Sequence, residues 1–223
     1  MARPLPSFAE LLHTARHAIA NAAALLQDAE LLLSHHRWPR AHALAVLALE
    51  EVGKAGICLG ALGYQEDQAQ DFWLEFRDHK AKLHFAGAAL QVLFGSEGQA
   101  EALVALVAAA QTEATSEHAQ KLRGFYVDLD RQSGAILRPE AIDEAAASRT
   151  IERVEAMLNL LGPAWLTEGI EARLDEVITC HSDDLRRLAE QARELVLVDT
   201  EAAVGMGRRL LVGNLPPVAD EGC

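Results

Sequence analysis

Two segments of the sequence set chemically capable side chains at helical spacing. In the first, Glu50, Glu51 and Lys54 fall on an arc about 100° wide of a segment that is otherwise apolar nearly all round. Glu50 and Lys54 stand in the favourable i,i+4 order for an ion pair. Glu51 lies close to the apolar stripe of Leu44, Ala48 and Ala55, so its burial would require a cation from another helix. In the second segment, Trp73 to His84, basic residues gather in an otherwise acidic chain. If it forms one helix, Glu75, His79 and Lys82 share a face that could meet Glu50 or Glu51. Arg77, Lys80 and His84 then share another, nearly opposite. An imidazole can move protons at neutral pH and a guanidinium can hold a phosphate, so Arg77 with His84 is a candidate pair for RNA cleavage through the 2′-hydroxyl.

The elements that must position these groups are helices. The chain has 223 residues, half of them hydrophobic but only 5% aromatic, and the apolar residues are mainly Ala and Leu, which favour helices over strands. Ser7 to Glu10 has capping-box spacing, and Leu11, Ala15, Ile19, Ala22, Leu26 and Leu33 continue a first helix as far as His35. After Trp38-Pro39, a second helix is expected from Arg40 to Leu62, ended by Gly63. A third should run from Asp71 to Leu93. A fourth should run from Gln99 to Leu122, with Ala102 to Ala110 as its buried middle. Residues 124–139 read as a loop or small hairpin. A fifth helix follows from Pro139 to Leu161, closed by Gly162-Pro163, and two more cover Ala164 to Thr179 and Ser182 to Leu197. The sequence therefore specifies an all-α antiparallel bundle, a single domain over residues 1–212 in which 161–212 add C-terminal helices, and a flexible tail at 213–223.

Bulk properties exclude several classes. A net charge of −13 opposes broad nucleic-acid affinity, so any RNA site must be local. No apolar run approaches the roughly 20 residues that span a bilayer, and the N-terminus lacks a signal segment. Cys58, Cys180 and Cys223 are too few and too scattered for a disulfide framework. A cytoplasmic protein without membrane contact is expected. A di-iron bundle needs paired Glu-x-x-His motifs; only Glu10-Leu-Leu-His13 fits, at a helix start. No metal or other cofactor is called for.

Taken in order, several fragments resemble the AbiV-type abortive-infection proteins, a HEPN-related group of phage-defence factors. They are Asn21 with Asp28-Ala29, Ala48-Leu-Glu50-Glu51-Val-Gly53-Lys54, His79-x-x-Lys82, and Lys121-Leu-Arg-Gly-Phe-Tyr126-Val-Asp128 ahead of Pro139. The resemblance covers roughly residues 10 to 160. It implies a HEPN-like bundle, a role in halting phage multiplication by arresting growth or translation, and a homodimer. It also implies a site made of Glu50, Glu51, Lys54, His79 and Lys82, supported by Asn21, Asp28, Lys121, Tyr126 and Asp128. HEPN ribonucleases carry an Arg followed after four to six residues by a His. Arg77 and His84 fit that spacing, as do Arg37 and His42 across a proline. Two readings stay open at this stage. One is a metal-independent RNA-cleaving toxin; the other is a non-catalytic factor that binds a phage or host translation protein. The polar set could equally be a buried network that holds helices in register.

Overall fold

The computed structural model describes residues 3–94, 100–130 and 133–195, without the side chains of 89–94, 100–109 and 192–195. These form eight α-helices and one two-stranded hairpin: α1 (Phe8–Ser34), α2 (Trp38–Gly60), α3 (Ala69–Arg77), α4 (His79–Phe94), α5 (Ala100–Phe125), β1 (Asp128–Leu129), β2 (Ile136–Leu137), α6 (Glu144–Trp165), α7 (Ile170–Cys180) and α8 (Ser182–Leu195). The all-α class expected from composition is what is found.

α1 begins at the capping box. The Ser7 hydroxyl accepts from the Glu10 amide at 3.3 Å, and the Glu10 carboxylate accepts from the Ser7 amide at 2.7 Å. Its apolar stripe, Leu11, Leu12, Ala15, Ile19, Ala22, Leu26 and Ala29, is buried. The chain reverses through His36, a non-glycine residue in the left-handed region at φ 56°. It then enters α2, whose first turn holds Pro39, where a missing N–H does no harm. α2 is the central element, packed by α1, α4, α5 and α6. Fully buried Ala41, Ala45 and Ala48 let those neighbours come close.

The closest approach is at Gly53. A Cβ placed there would stand 1.8 Å from the Lys82 carbonyl oxygen of α4. Only glycine lets α4 cross α2 at this depth, and the crossing brings the Lys82 segment against the Glu50 segment.

Several boundaries differ from the sequence expectation. The third expected helix is two helices. Asp78 is extended at φ −80°, ψ 118°, and its Oδ1 accepts from the Lys80 amide at 2.8 Å, so it caps α4 instead of continuing α3. Arg77 and His84 consequently do not share a helix face. Pro139 opens a single 3-10 turn, Pro139–Ala141. The long helix after it starts later, where the Asp143 side chain accepts from the Ala146 amide at 2.8 Å. α6 also runs through Gly162-Pro163 instead of closing there, because the buried stripe of Leu158, Leu161 and Trp165 continues past the proline. α7 starts only after Gly169, which takes the left-handed conformation at φ 77°. The expected hairpin is present, pairing Asp128 with Leu137 and Leu129 with Ile136. The expected tail at 213–223, and the side chains of Ala102 to Ala109, lie outside the described residues.

Gly53→Ala is expected to destabilise the protein by at least about 3 kcal/mol, because backbone must move to admit the methyl group. Gly60→Ala, with nothing within 4 Å of the new atom, is expected to be neutral or slightly stabilising. Urea denaturation of the two variants checks the pair; equal stabilities would contradict the close crossing.

Candidate functional site

Glu50 is the one acid on α2 that is fully enclosed, with 3% of its surface exposed. Three other groups converge on its carboxylate. Lys121 of α5, itself buried, donates to Oε1 at 2.5 Å. His79, the first residue of α4, lies with Nδ1 2.8 Å from Oε2. A carboxylate oxygen accepts, so Nδ1 carries the proton. His118, one turn before Lys121 on α5, has Nδ1 3.9 Å from Oε1. The His79 and His118 rings stack, with centroids 5.4 Å apart and planes 22° apart. Two His-x-x-Lys segments, His79 to Lys82 and His118 to Lys121, thus approach one carboxylate from two helices.

Around this centre, Lys54 pairs with Glu51, not with Glu50 as the i,i+4 spacing suggested. Glu51 is partly buried, as expected, but its cation comes from its own helix and not from another; the acid enclosed completely is Glu50. Lys82 is 8% exposed, and its ammonium makes no ion pair among the described residues. Burial, reinforced by the nearby Lys54 charge, holds its pKa below the usual lysine value. Burial, helped by the Lys121 charge, likewise lowers the pKa of His118, so this imidazole is neutral at physiological pH. His79 keeps half of its side chain in solvent. The cluster can therefore move protons at two adjacent imidazoles, one of them anchored to a buried carboxylate.

Of the residues anticipated from sequence, Glu50, Glu51, Lys54, His79, Lys82 and Lys121 are brought together. The others are not. Arg77 is exposed at the end of α3, its guanidinium 5.9 Å from the centre of the Trp73 ring. His84 is half-buried on α4, its Nδ1 has no hydrogen-bond partner among the described residues, and burial lowers its pKa. The break at Asp78 separates the two. His42 is buried. The Thr150 hydroxyl donates to the Ala146 carbonyl and so accepts from His42 Nδ1, at 3.1 Å, which locks the ring in the core and away from exposed Arg37. Asn21 and Asp28 lie on the exposed side of α1, and Tyr126 and Asp128 are exposed at the hairpin. Glu10 is consumed by its cap, while His13 sits 3.5 Å from both Glu171 and Asp175. Among the described residues no group of three His, Cys, Asp or Glu has metal-holding geometry.

His118 was not anticipated. The signal was available, since His118-Ala-Gln-Lys121 repeats the spacing of His79-Lys-Ala-Lys82.

The helices that assemble this cluster coincide with one family match: the HEPN-type family model described as AbiV aligns with residues 10–159, well over half of the chain. The chain belongs to the AbiV family. No curated protein and no solved structure matched it. The AbiV match takes in α1 to α5, the hairpin and most of α6, and hence every member of the Glu50 cluster. No helix among the described residues is long and apolar enough to cross a membrane.

Removing one partner of the Glu50–Lys121 pair leaves a buried charge alone. Lys121→Met is therefore expected to cost about 3–5 kcal/mol, and Glu50→Leu combined with Lys121→Met to recover much of that loss. Urea titrations of the single and double variants test this, and strict additivity would contradict a coupled pair.

Stability should also depend on pH. The folded-state pKa values of His42 and His118 are depressed, each chiefly by burial, below the ordinary 6.5. Their contribution is present above that value and is lost as pH falls through the folded values, because the unfolded chain takes up protons first. Unfolding free energy is expected to decline as pH falls below about 6.5, by at most about 1.4 kcal/mol per pH unit for each ring. A flat profile over that range would contradict it.

Proposed function

We propose that this AbiV-family protein arrests growth or translation in phage-infected cells by cleaving RNA without a metal ion, at the Glu50 cluster. The observation that carries the reading is the stacked pair His79 and His118, one imidazole fixed by a buried carboxylate and the other held neutral, with Lys82, whose ammonium makes no ion pair among the described residues, one turn after His79 on α4. Neutral His118 accepts the proton of an RNA 2′-hydroxyl. The resulting 2′-oxygen attacks the adjacent phosphorus, and the bond to the 5′-oxygen breaks. Protonated His79, oriented by its Nδ1–H bond to Glu50, donates a proton to that leaving oxygen. The products are a 2′,3′-cyclic phosphate and a free 5′-hydroxyl, so protons and charge balance. Lys82 offsets the charge that builds on the phosphoryl oxygens. Burial lowers the pKa of Lys82, and an arriving phosphate would offset that by favouring its ammonium form.

This reading takes residues 1–212 as one domain acting in the cytoplasm, with a homodimer as the working form. It replaces Arg77 and His84 by His79 and His118 as the proton-moving machinery.

A second reading, a non-catalytic factor that binds a phage or host translation protein, is favoured by a separate observation. The hairpin exposes Tyr126, Val127, Leu129 and Ile136, each more than half accessible, an apolar strip of the kind that protein contacts cover.

Purified protein incubated with cellular RNA in the presence of a chelator is expected to generate new 5′-hydroxyl ends. His79→Ala and His118→Ala should each slow this by about 10²-fold or more, while Arg77→Ala should not. In cells, the same two substitutions should abolish growth arrest on induction or infection. Arrest that survives both substitutions, with no new RNA ends, would reject the catalytic reading in favour of the binder.

A further inference from the structure

The chain has four lysines. Lys54 is paired with Glu51 and Lys121 with Glu50, while Lys80 is exposed on the first turn of α4. Lys82 differs from all three. Only 8% of the residue is exposed, and its side-chain nitrogen makes neither an ion pair nor a hydrogen bond among the described residues. That nitrogen lies 6.0 Å from the centre of the Phe76 ring. The Lys82 carbonyl is the group pressed against Gly53, so the backbone cannot draw the side chain away from α2.

The carboxylates in its neighbourhood are already committed. Glu50 receives Lys121 and His79, and Glu51 receives Lys54. Set against these two acids, the three lysines Lys54, Lys82 and Lys121 leave one cation in surplus, and it falls on Lys82. Burial and the adjoining Lys54 charge both disfavour the ammonium; the Glu50 and Glu51 charges oppose them without reversing the shift, and the pKa is held below the usual lysine value. A desolvated lysine beside another cation is a nucleophilic amine at neutral pH. The stem is covered, but the tip is not. Lys82 Nζ lacks a partner and yet is not one of the solvent-shielded unpaired atoms, so it reaches water.

We propose that Lys82 is a site of covalent acyl modification, taking an acetyl-sized group from an activated acyl donor, either an acyl phosphate or an acyl thioester. The unprotonated Nζ attacks the donor's carbonyl carbon. An N–C bond forms, the C–O bond to phosphate or the C–S bond to the thiol breaks, and the proton shed by nitrogen goes to the departing group or to water. Nothing is oxidised or reduced, and no further reactant is needed. The amide carries no charge, so the modification removes the surplus cation beside Glu50 and Glu51. Its consequence for activity rests on the catalytic reading given above: the charge set against the phosphoryl oxygens is lost, and the site is switched off.

The experiment incubates the folded full chain at neutral pH with acetyl phosphate and, in a parallel arm, with acetyl-coenzyme A, stops at low conversion, and reads acetylation at each lysine by peptide fragmentation in a mass spectrometer. Lys82 is expected to be acetylated at least about tenfold faster than Lys80, because the rate follows the unprotonated fraction of each amine. The arm that is faster names the donor class. In urea the two lysines should react alike, since the preference comes from burial. Lys54→Met should slow the reaction at Lys82, because it removes the neighbouring charge and opens Glu51 to the Lys82 ammonium; circular dichroism checks that the fold is kept. The inference is overturned if Lys80 reacts as fast as Lys82 in the folded protein with both donors. It is equally overturned if the preference survives in urea, which would place its cause in the local sequence. The readout is a mass and uses no RNA, so failure here is distinct from failure of the cleavage assay.

Discussion

A single carboxylate inside a helical core dictates the arrangement of this protein. Enclosed as Glu50 is, an ionised acid is tolerable only if opposite charge and hydrogen-bond donors reach it from other elements. Lys121 comes from α5 and His79 from α4, with His118 close behind. The helices that deliver these groups are fixed in rotation and depth by the requirement to meet one pair of oxygens. Apolar packing alone would tolerate a slide of either helix along α2; the polar centre does not. The same constraint that sets the register also produces the only arrangement of imidazoles and ammonium groups in the AbiV-like part that resembles catalytic machinery among the described residues.

Two backbone features make that meeting geometrically available. At Gly53 the absence of a side chain lets the Lys82 carbonyl approach α2 more closely than any other residue would permit. At Asp78 the chain leaves helical geometry for one residue and restarts with a side-chain cap. The restart puts His79 at the very tip of α4, where its ring can turn toward Glu50 while keeping half its surface in water. Had α3 and α4 been continuous, the imidazole would have been committed to whichever face the helix imposed.

Much of this was legible beforehand, for identifiable reasons. The all-α class follows from Ala and Leu content, and α1 and α2 follow from a capping box, a proline and an unbroken 3.6-residue stripe. The acidic–basic arc on α2 pointed to a neighbour bearing His79 and Lys82, because an almost wholly apolar helix has no solvent-facing side on which to leave charges. Which acid would be buried was not legible. Glu50 and Glu51 are one residue apart, and the choice depends on where α4 and α5 cross, a long-range property. The Asp78 break was hidden because aspartate is common on helix surfaces and nothing nearby resembles a turn signal. The continuation of α6 through Pro163 was hidden because the apolar stripe beyond it outweighed a local breaker. His118 was visible only as a repeat of a four-residue spacing, a signal too short to stand out without the fold.

Sequence separation gives the Glu50–Lys121 contact a further meaning. The two residues are 71 positions apart, whereas α1 and α2 are joined by a short reversal and can pair as soon as both have emerged from the ribosome. The acid on α2 therefore precedes its partners in the chain, and the cluster cannot be complete until α5 has been made. A chain interrupted anywhere before that helix carries half of the His-x-x-Lys set and no complete centre.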